Sequence, residues 1–179
     1  MFFNHIFSAL AAGAATAGLV GTMGAYAKPE LDEDVAALVE QASRGHASLM
    51  RGDIADYRAA IALAPDFLLM DPFGGTPTGA PTSEAHWARI GHFFRDGRDA
   101  RFELIRAWRS GDMAVLVANE SADVAVGSLS AQHWLLRVTL VFRRDSGTWK
   151  LVHRHADPLA KGITLEQAGR ATLGKDAGA

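Results

Sequence analysis

Proton-transfer chemistry needs a carboxylate or an imidazole held where water is scarce, and the chain offers a short set of candidates. Asp71 is the first. It closes the apolar run Phe67-Leu68-Leu69-Met70 and opens Asp71-Pro72-Phe73-Gly74-Gly75, a break rich in turn residues. A carboxylate at a strand end that faces an apolar cavity is desolvated, and desolvation raises proton affinity, as a general base requires. The competing role for Asp71 is that of a turn residue whose carboxylate hydrogen-bonds nearby backbone. Glu120 interrupts an apolar run and reads either as a cavity group or as a solvent-face residue. His153 and His155 share one strand face, a spacing that zinc sites use. No third ligand is marked, so no metal is expected and the pair reads as structural or pocket-lining histidines. Trp87, Trp134 and Trp149 are core residues or, alternatively, a ligand platform.

Other chemistries are excluded by composition or by missing motifs. Zero cysteines remove disulfides, thiol catalysis and cysteine-ligated metals. There is no Gly-x-Ser-x-Gly elbow, phosphate loop or His-Glu-x-x-His. No cofactor is expected. A net charge of −2, from 18 Lys+Arg against 20 Asp+Glu, speaks against a basic nucleic-acid surface. The chain has 179 residues, 49% of them hydrophobic, which suits one globular domain with a real core.

The elements that must position the candidates follow from periodicity. Val35, Leu38, Val39, Ala42, His46 and Leu49 form one helical stripe, preceded by Asp32, Glu33 and Asp34 and stopped by Gly52. Asp53 caps a shorter helix carrying Ile54, Tyr57 and Ile61, which must end before Pro65. A strand through Phe67 to Met70 and a Gly/Pro loop lead to Ser83, the cap of a third helix with Trp87, Ile90, Gly91 and Phe94 on one face. The period then becomes two. Strands are predicted over residues 101–108, 113–125, 130–144 and 148–155, separated by Ser110-Gly111-Asp112, Gly127-Ser128 and Asp145-Ser146-Gly147. In 130–144 the even positions Trp134, Leu136, Val138, Leu140 and Phe142 are all apolar and must face the helices. After Asp157-Pro158 comes a tail, 158–179, in which Thr164-x-x-Gln167 can cap one short helix and whose last residues read as flexible. The expectation is an α+β fold: a cone-shaped, curled antiparallel sheet closed by three N-terminal helices, with an apolar small-molecule pocket at its mouth.

The first residues differ from the rest. Residues 1–27 carry no Lys, Arg, Asp or Glu, and residues 6–27 include 8 Ala and 4 Gly. They end in Ala25-Tyr26-Ala27, the small-x-small form of a signal-peptidase site. The expectation is a signal peptide over 1–27, cleavage before Lys28, and a periplasmic or secreted domain over 28–157 that has no membrane contact after cleavage. A retained membrane anchor is the alternative, although so many Ala and Gly make a weakly hydrophobic span.

Two helices split by Gly-Asp, a strand ending in Asp-Pro-Phe-Gly, a third helix and an antiparallel meander resemble the nuclear-transport-factor-two-like superfamily. Arg51-Gly52-Asp53-Ile54 through Met70-Asp71-Pro72-Phe73-Gly74 resembles the ketosteroid isomerases. The stretch from Val138 through Asp145-Ser146-Gly147-Thr148-Trp149 to His153-Arg154-His155 is similar to SnoaL-like proteins and to the association domain of calcium/calmodulin-dependent kinase II. The resemblance spans about residues 31–157. It implies that Asp71 is the general base of an isomerase, cyclase or dehydratase type of reaction on an apolar compound. It also implies an oxyanion hole made by a Tyr and a protonated Asp. In this chain the Tyr position falls at Gly45 and the acid position at Val138 to Leu140, so that half of the constellation is missing. Glu120 lies near a position that is basic in the kinase domain.

Two functions therefore compete: cofactor-independent acid–base chemistry through Asp71, and a non-catalytic ligand-binding or oligomerisation module. The expected ligand-binding residues are Trp87, Glu120, Trp134, Val138, Leu140, His153 and His155. The expected partners are a small apolar ligand and a second copy of the chain, paired through the odd face that carries His133, Leu135, Arg137, Thr139 and Val141. The leader makes the first prediction. N-terminal sequencing of protein recovered outside the cytoplasm should begin at or near Lys28, whereas a membrane-extracted chain retaining Met1 identifies the anchor.

Overall fold

The computed structural model describes residues 31–160 and 162–172. The expected signal peptide, its cleavage position and the last residues of the tail lie outside these. The element order is α1 (Glu33–Arg51), α2 (Ile54–Ala60), β1 (Leu63–Met70), α3 (Glu84–Phe93), β2 (Phe94–Ser110), β3 (Met113–Val126), β4 (Leu129–Asp145), β5 (Thr148–Pro158) and α4 (Leu165–Ala171).

Each helix begins where its capping chemistry predicts. Asp32 accepts from the Asp34 and Val35 backbone N–H groups, Asp53 from Asp56 and Ser83 from His86. Thr164 and Gln167 complete a reciprocal capping box at α4. α1 ends at Gly52, whose φ of 76° is the left-handed conformation that glycine adopts without a Cβ clash. A side chain there would also drive into backbone, because a Cβ would lie 2.5 Å from the Gly91 carbonyl oxygen. Gly52 thus lets the α1–α2 corner lie against the start of β2. α3 is shorter than the periodicity predicts, and Phe94 already opens the long β2.

The fold is α+β, with an open five-stranded sheet in the order β1-β5-β4-β3-β2. The meander β2 to β5 is antiparallel, but β1 pairs in parallel with β5, so the sheet is mixed rather than wholly antiparallel. The physical reason lies in the connection. β1 is followed by a loop, α3 and three strands before its partner arrives, and this long crossover brings β5 back in the same direction. As an edge strand, β1 tolerates Pro65, and its pairing with β5 is interrupted between Leu63 and Leu68.

α1 supplies most of the helix–sheet packing. Its buried Val35, Leu38 and Ala42 join Ala114 and Leu116 of β3, Leu140 and Phe142 of β4, and Leu151 of β5 in the main core. The even face of β4 is the inner one, as its alternation requires.

One irregularity in β5 decides what that strand presents. Val141 pairs with His153 and Phe142 with Leu151, which leaves Val152 unpaired as a bulge. A one-residue slip exchanges the two faces of a strand. Before the bulge Leu151 points inward. After it Arg154 and Ala156 point inward, opposite Leu140 and Val138, while His153 and His155 point outward.

Candidate functional site

Among the described residues the inner face of the sheet carries one buried carboxylate, Glu120 on β3, only 3% exposed. Arg154 on β5 grips it with two hydrogen bonds, Nη1 to Oε1 at 2.9 Å and Nη2 to Oε2 at 2.7 Å. His46 on α1 completes the cluster, with Nδ1 3.2 Å from Glu120 Oε2 and Nε2 3.0 Å from the Ser121 carbonyl oxygen. Burial pushes the Glu120 carboxyl up, yet the Arg154 guanidinium and the His46 ring outweigh it and hold the carboxyl well below the usual carboxylate range. The Arg154 guanidinium, penalised by the same burial, is held above its ordinary value by Glu120. Bidentate, largely buried pairs of this kind are among the strongest polar contacts a protein makes.

Beside the cluster lies a cavity of about 200 Å³. That is smaller than the roughly 300–1,000 Å³ typical of pockets for drug-sized ligands, so it suits a small molecule. Its wall is largely apolar and includes Leu63 and Phe67 near β1's start, Trp87 and Ile90 of α3, and Trp134 and Leu136 of β4. Three polar side chains line it: Tyr57, Asp71 and Arg154. Tyr57 and Arg154 also line a small adjoining cleft with His46 and Glu120, so they form the partition between cavity and ion cluster. Burial pushes the Tyr57 hydroxyl up, with Arg154 opposing and Glu120 reinforcing, so the phenol stays a donor. Its ring is held by Trp87, 6.0 Å away between centroids, and Arg58 stacks 5.2 Å over the other aromatic.

The mouth is aromatic. Phe73 is 55% exposed and touches both Phe93 and Trp134 at centroid distances of 5.5 and 5.9 Å. Asp71, at this rim, accepts the Phe73 backbone N–H at Oδ1, 2.9 Å away. It therefore holds the turn and also lines the cavity.

The other candidates divide by strand parity. Trp87 and Trp134 lie on the cavity wall. Glu120 belongs to the ion cluster behind it, and Leu140 to the cleft and the core. Val138 is core packing beside Ala118 and Ala156, not cavity lining. His153 and His155 lie on the outer face, where His153 Nδ1 contacts the Leu68 carbonyl, and among the described residues no cluster suited to a metal ion includes them. The expectation that they line the pocket is corrected by the bulge at Val152, which turns Arg154 inward in their place. Arg154 and Tyr57 are the site residues that the sequence reading leaves out. Arg154 is masked because ideal alternation runs Trp149, Leu151, His153, His155. Tyr57 is marked only as a member of an apolar helix stripe. His46 is a donor next to Gly45 in sequence, set aside there because one residue is about 100° of helix rotation. Gly45, the position the isomerase resemblance assigns to a tyrosine, has no room: a Cβ there would lie 2.5 Å from Ile61 Cγ1.

The sequence profile described as a SnoaL-like domain matches residues 36–160. No curated protein matches the chain. Among solved structures it is similar to an NTF2-like protein from Cytophaga hutchinsonii, 13% identical over 72% of this chain and 100% of that one, with a TM-score of 0.55. A candidate calcium/calmodulin-dependent kinase II association domain from Exiguobacterium sibiricum is 17% identical over 74% and 98%, with a TM-score of 0.55. An NTF2-like protein of unknown function from Pseudomonas putida is 20% identical over 74% and 89%, with a TM-score of 0.54. At these identities the likeness shows the fold.

The ion cluster makes a prediction whose sign is fixed. Folding lowers the Glu120 carboxyl pKa, so the stability it contributes is present above the unfolded value of about 4.3 and is lost as pH falls through the folded value. Glu120→Gln leaves a buried guanidinium unpaired and should cost about 3–5 kcal/mol at neutral pH. The difference from the parent should narrow below about pH 4, as protonation weakens the parent too. Urea titrations at neutral and acidic pH check both points, and a gap independent of pH would refute the electrostatic account.

Proposed function

Because the chain belongs to the SnoaL-like domain family within the NTF2-like superfamily, we propose that it takes a small, largely apolar molecule into this cavity and moves a proton on it through Asp71, without a cofactor. One observation carries the reading: a carboxylate and two hydrogen-bond donors, Asp71, Tyr57 and Arg154, line a single apolar cavity. The first can accept a proton. The other two can hold the ligand oxygen, in surroundings where few competing waters weaken them. Val138 and Leu140, at the positions where the isomerase resemblance calls for an acid, offer no donor. Tyr57 from α2 and Arg154 from β5 supply that function from other elements.

Asp71 divides its work between its oxygens. Oδ1 holds the Phe73 backbone, and Oδ2 makes no hydrogen bond among the described residues, so Oδ2 is the oxygen assigned to the proton. Capture of a ligand without turnover is the second reading, favoured by that same backbone bond, which gives Asp71 a reason to exist apart from catalysis. Asp71→Asn separates the two. The amide oxygen can keep the Phe73 bond, so melting should be unchanged, while proton transfer should fall about 10²–10⁴-fold. Exchange of α-hydrogens for deuterium in a panel of small apolar ketones, followed by NMR in D2O, reads this directly. Binding with no accelerated exchange in the parent protein assigns the cavity to capture alone.

The outer sheet face supports pairing with a second copy. Trp108, Val115, Val141, His153 and Leu68 form one cross-strand row over all five strands, and Trp108 is 56% exposed. The Arg137–Asp157 and His133–Asp123 ion pairs lie further along the same face. A largely apolar row on a face that also carries polar pairs has the texture of an isologous interface. Light scattering on the chain from Lys28 onward should give twice the monomer mass at micromolar concentration; a monomer there rejects the pairing. The charge-free segment 1–27 supports delivery of this domain outside the cytoplasm.

A further inference from the structure

We propose that Arg58 is the positioning residue for the donor inside the cavity: through Glu84 and Trp87 it latches α2 to α3, and so sets where the Tyr57 hydroxyl stands. The proposal rests on the reading of Tyr57 as a donor to the ligand oxygen and adds the device that aims it.

Tyr57 does not aim itself. Its hydroxyl has no hydrogen-bond partner among the described residues, so the packing of the ring sets its direction. α2 has seven residues and α3 ten, and neither holds a fully buried one. Helices this short gain little from their own backbone and take their placement from neighbours. α1 packs one side of α2, where a Cβ at Gly45 would lie 3.8 Å from Tyr57 Cδ2. The side toward α3 is held by three contacts spaced along the two helices. Ile54 lies against Gly91, where a Cβ would come within 2.9 Å of Ile54 Cγ1. The Tyr57 and Trp87 rings stand 6.0 Å apart. Arg58 supplies the third contact and meets α3 twice. Its Nη1 donates to both Glu84 carboxylate oxygens at 2.9 Å, and its guanidinium lies 5.2 Å over the Trp87 ring.

These contacts form a chain of positions. Glu84 fixes the guanidinium, the guanidinium covers Trp87, and Trp87 packs Tyr57, with both rings on the cavity wall. Arginine suits the place, because a planar guanidinium stacks on an indole and binds a carboxylate at the same time. The latch is open to solvent: the Arg58 and Glu84 side chains are 45% and 81% exposed. Such a pair is screened by salt and holds with modest strength. The Glu120–Arg154 pair behind the cavity is largely buried, and salt screens it much less. Ionic strength therefore loosens the α2–α3 wall while leaving the buried charges as they are.

The test follows the Tyr57 ring by ¹³C–¹H NMR in the full chain, whose only other tyrosine is Tyr26. Glu84→Ala leaves Arg58, Trp87 and Tyr57 unchanged, yet the Tyr57 ring resonances should shift in it. Raising KCl from about 20 to about 500 mM should reproduce that shift in the parent and add little in the variant. Binding of cyclohexanone, an uncharged probe, should weaken about two- to fivefold in Glu84→Ala and in Arg58→Met. The double variant should bind no more weakly than either single one, because both remove the same latch. A Tyr57 ring unmoved in Glu84→Ala, or losses that multiply in the double variant, overturns the proposal and leaves the cavity reading standing. If cyclohexanone does not bind the parent, the ketone reading falls, and the Tyr57 shifts alone decide on the latch.

Discussion

A carboxylate shut away among apolar side chains persists as an anion only with its counter-charges in contact, and Glu120 imposes that constraint on the molecule. Its partners come from two other elements, His46 from the first helix and Arg154 from the last strand, while the Ser121 carbonyl beside Glu120 fixes the far side of the imidazole. The cluster therefore ties α1 to both the middle and the far side of the sheet. An apolar core of the same volume could be as stable, because desolvation takes back much of what buried ion pairs contribute. What an apolar core lacks is direction: a bidentate guanidinium holds Arg154 at a fixed angle, and that angle sets one wall of the cavity.

Around this fixed point the cavity is assembled from parts with little chemistry of their own. α2 contributes a phenol, α3 an indole, and the loop after β1 a carboxylate and an exposed phenylalanine. Their positions depend on backbone details at a distance. Gly52 permits the corner that brings α2 across the sheet, and Gly45 leaves room for Ile61, so the ring facing the cavity comes from Tyr57 rather than from α1. The outer face shows the opposite chemistry: its histidines and valines line a two-dimensional surface rather than a pocket.

Much of this architecture was legible in the chain itself. The apolar stripe of α1, the caps Asp32, Asp53 and Ser83, the stop at Gly52 and the alternation of β4 are local signals, and each rests on an interaction within a few residues. The turn at Asp71 followed from an equally local pattern, an apolar run cut by Asp-Pro and two glycines. The resemblance to SnoaL-like proteins, carried by short motifs, was matched by a family profile over most of the domain. Direction of pairing was not local. Whether β1 meets its neighbour in parallel depends on a partner more than eighty residues away, which no window of periodicity contains.

The sequence by itself determined the order of helices and strands, though not every boundary, and which face of most of them is buried, because 3.6- and 2-residue periods are properties of the backbone alone. Only the tertiary structure decided which charges meet. Alternation carried through β5 puts His153 and His155 inside and Arg154 outside. The single unpaired residue at Val152 reverses that order. A bulge of this kind arises from the pairing of two strands and has no mark in the strand that carries it. The identity of the buried cation, and with it the character of the site, was settled by the register between β4 and β5.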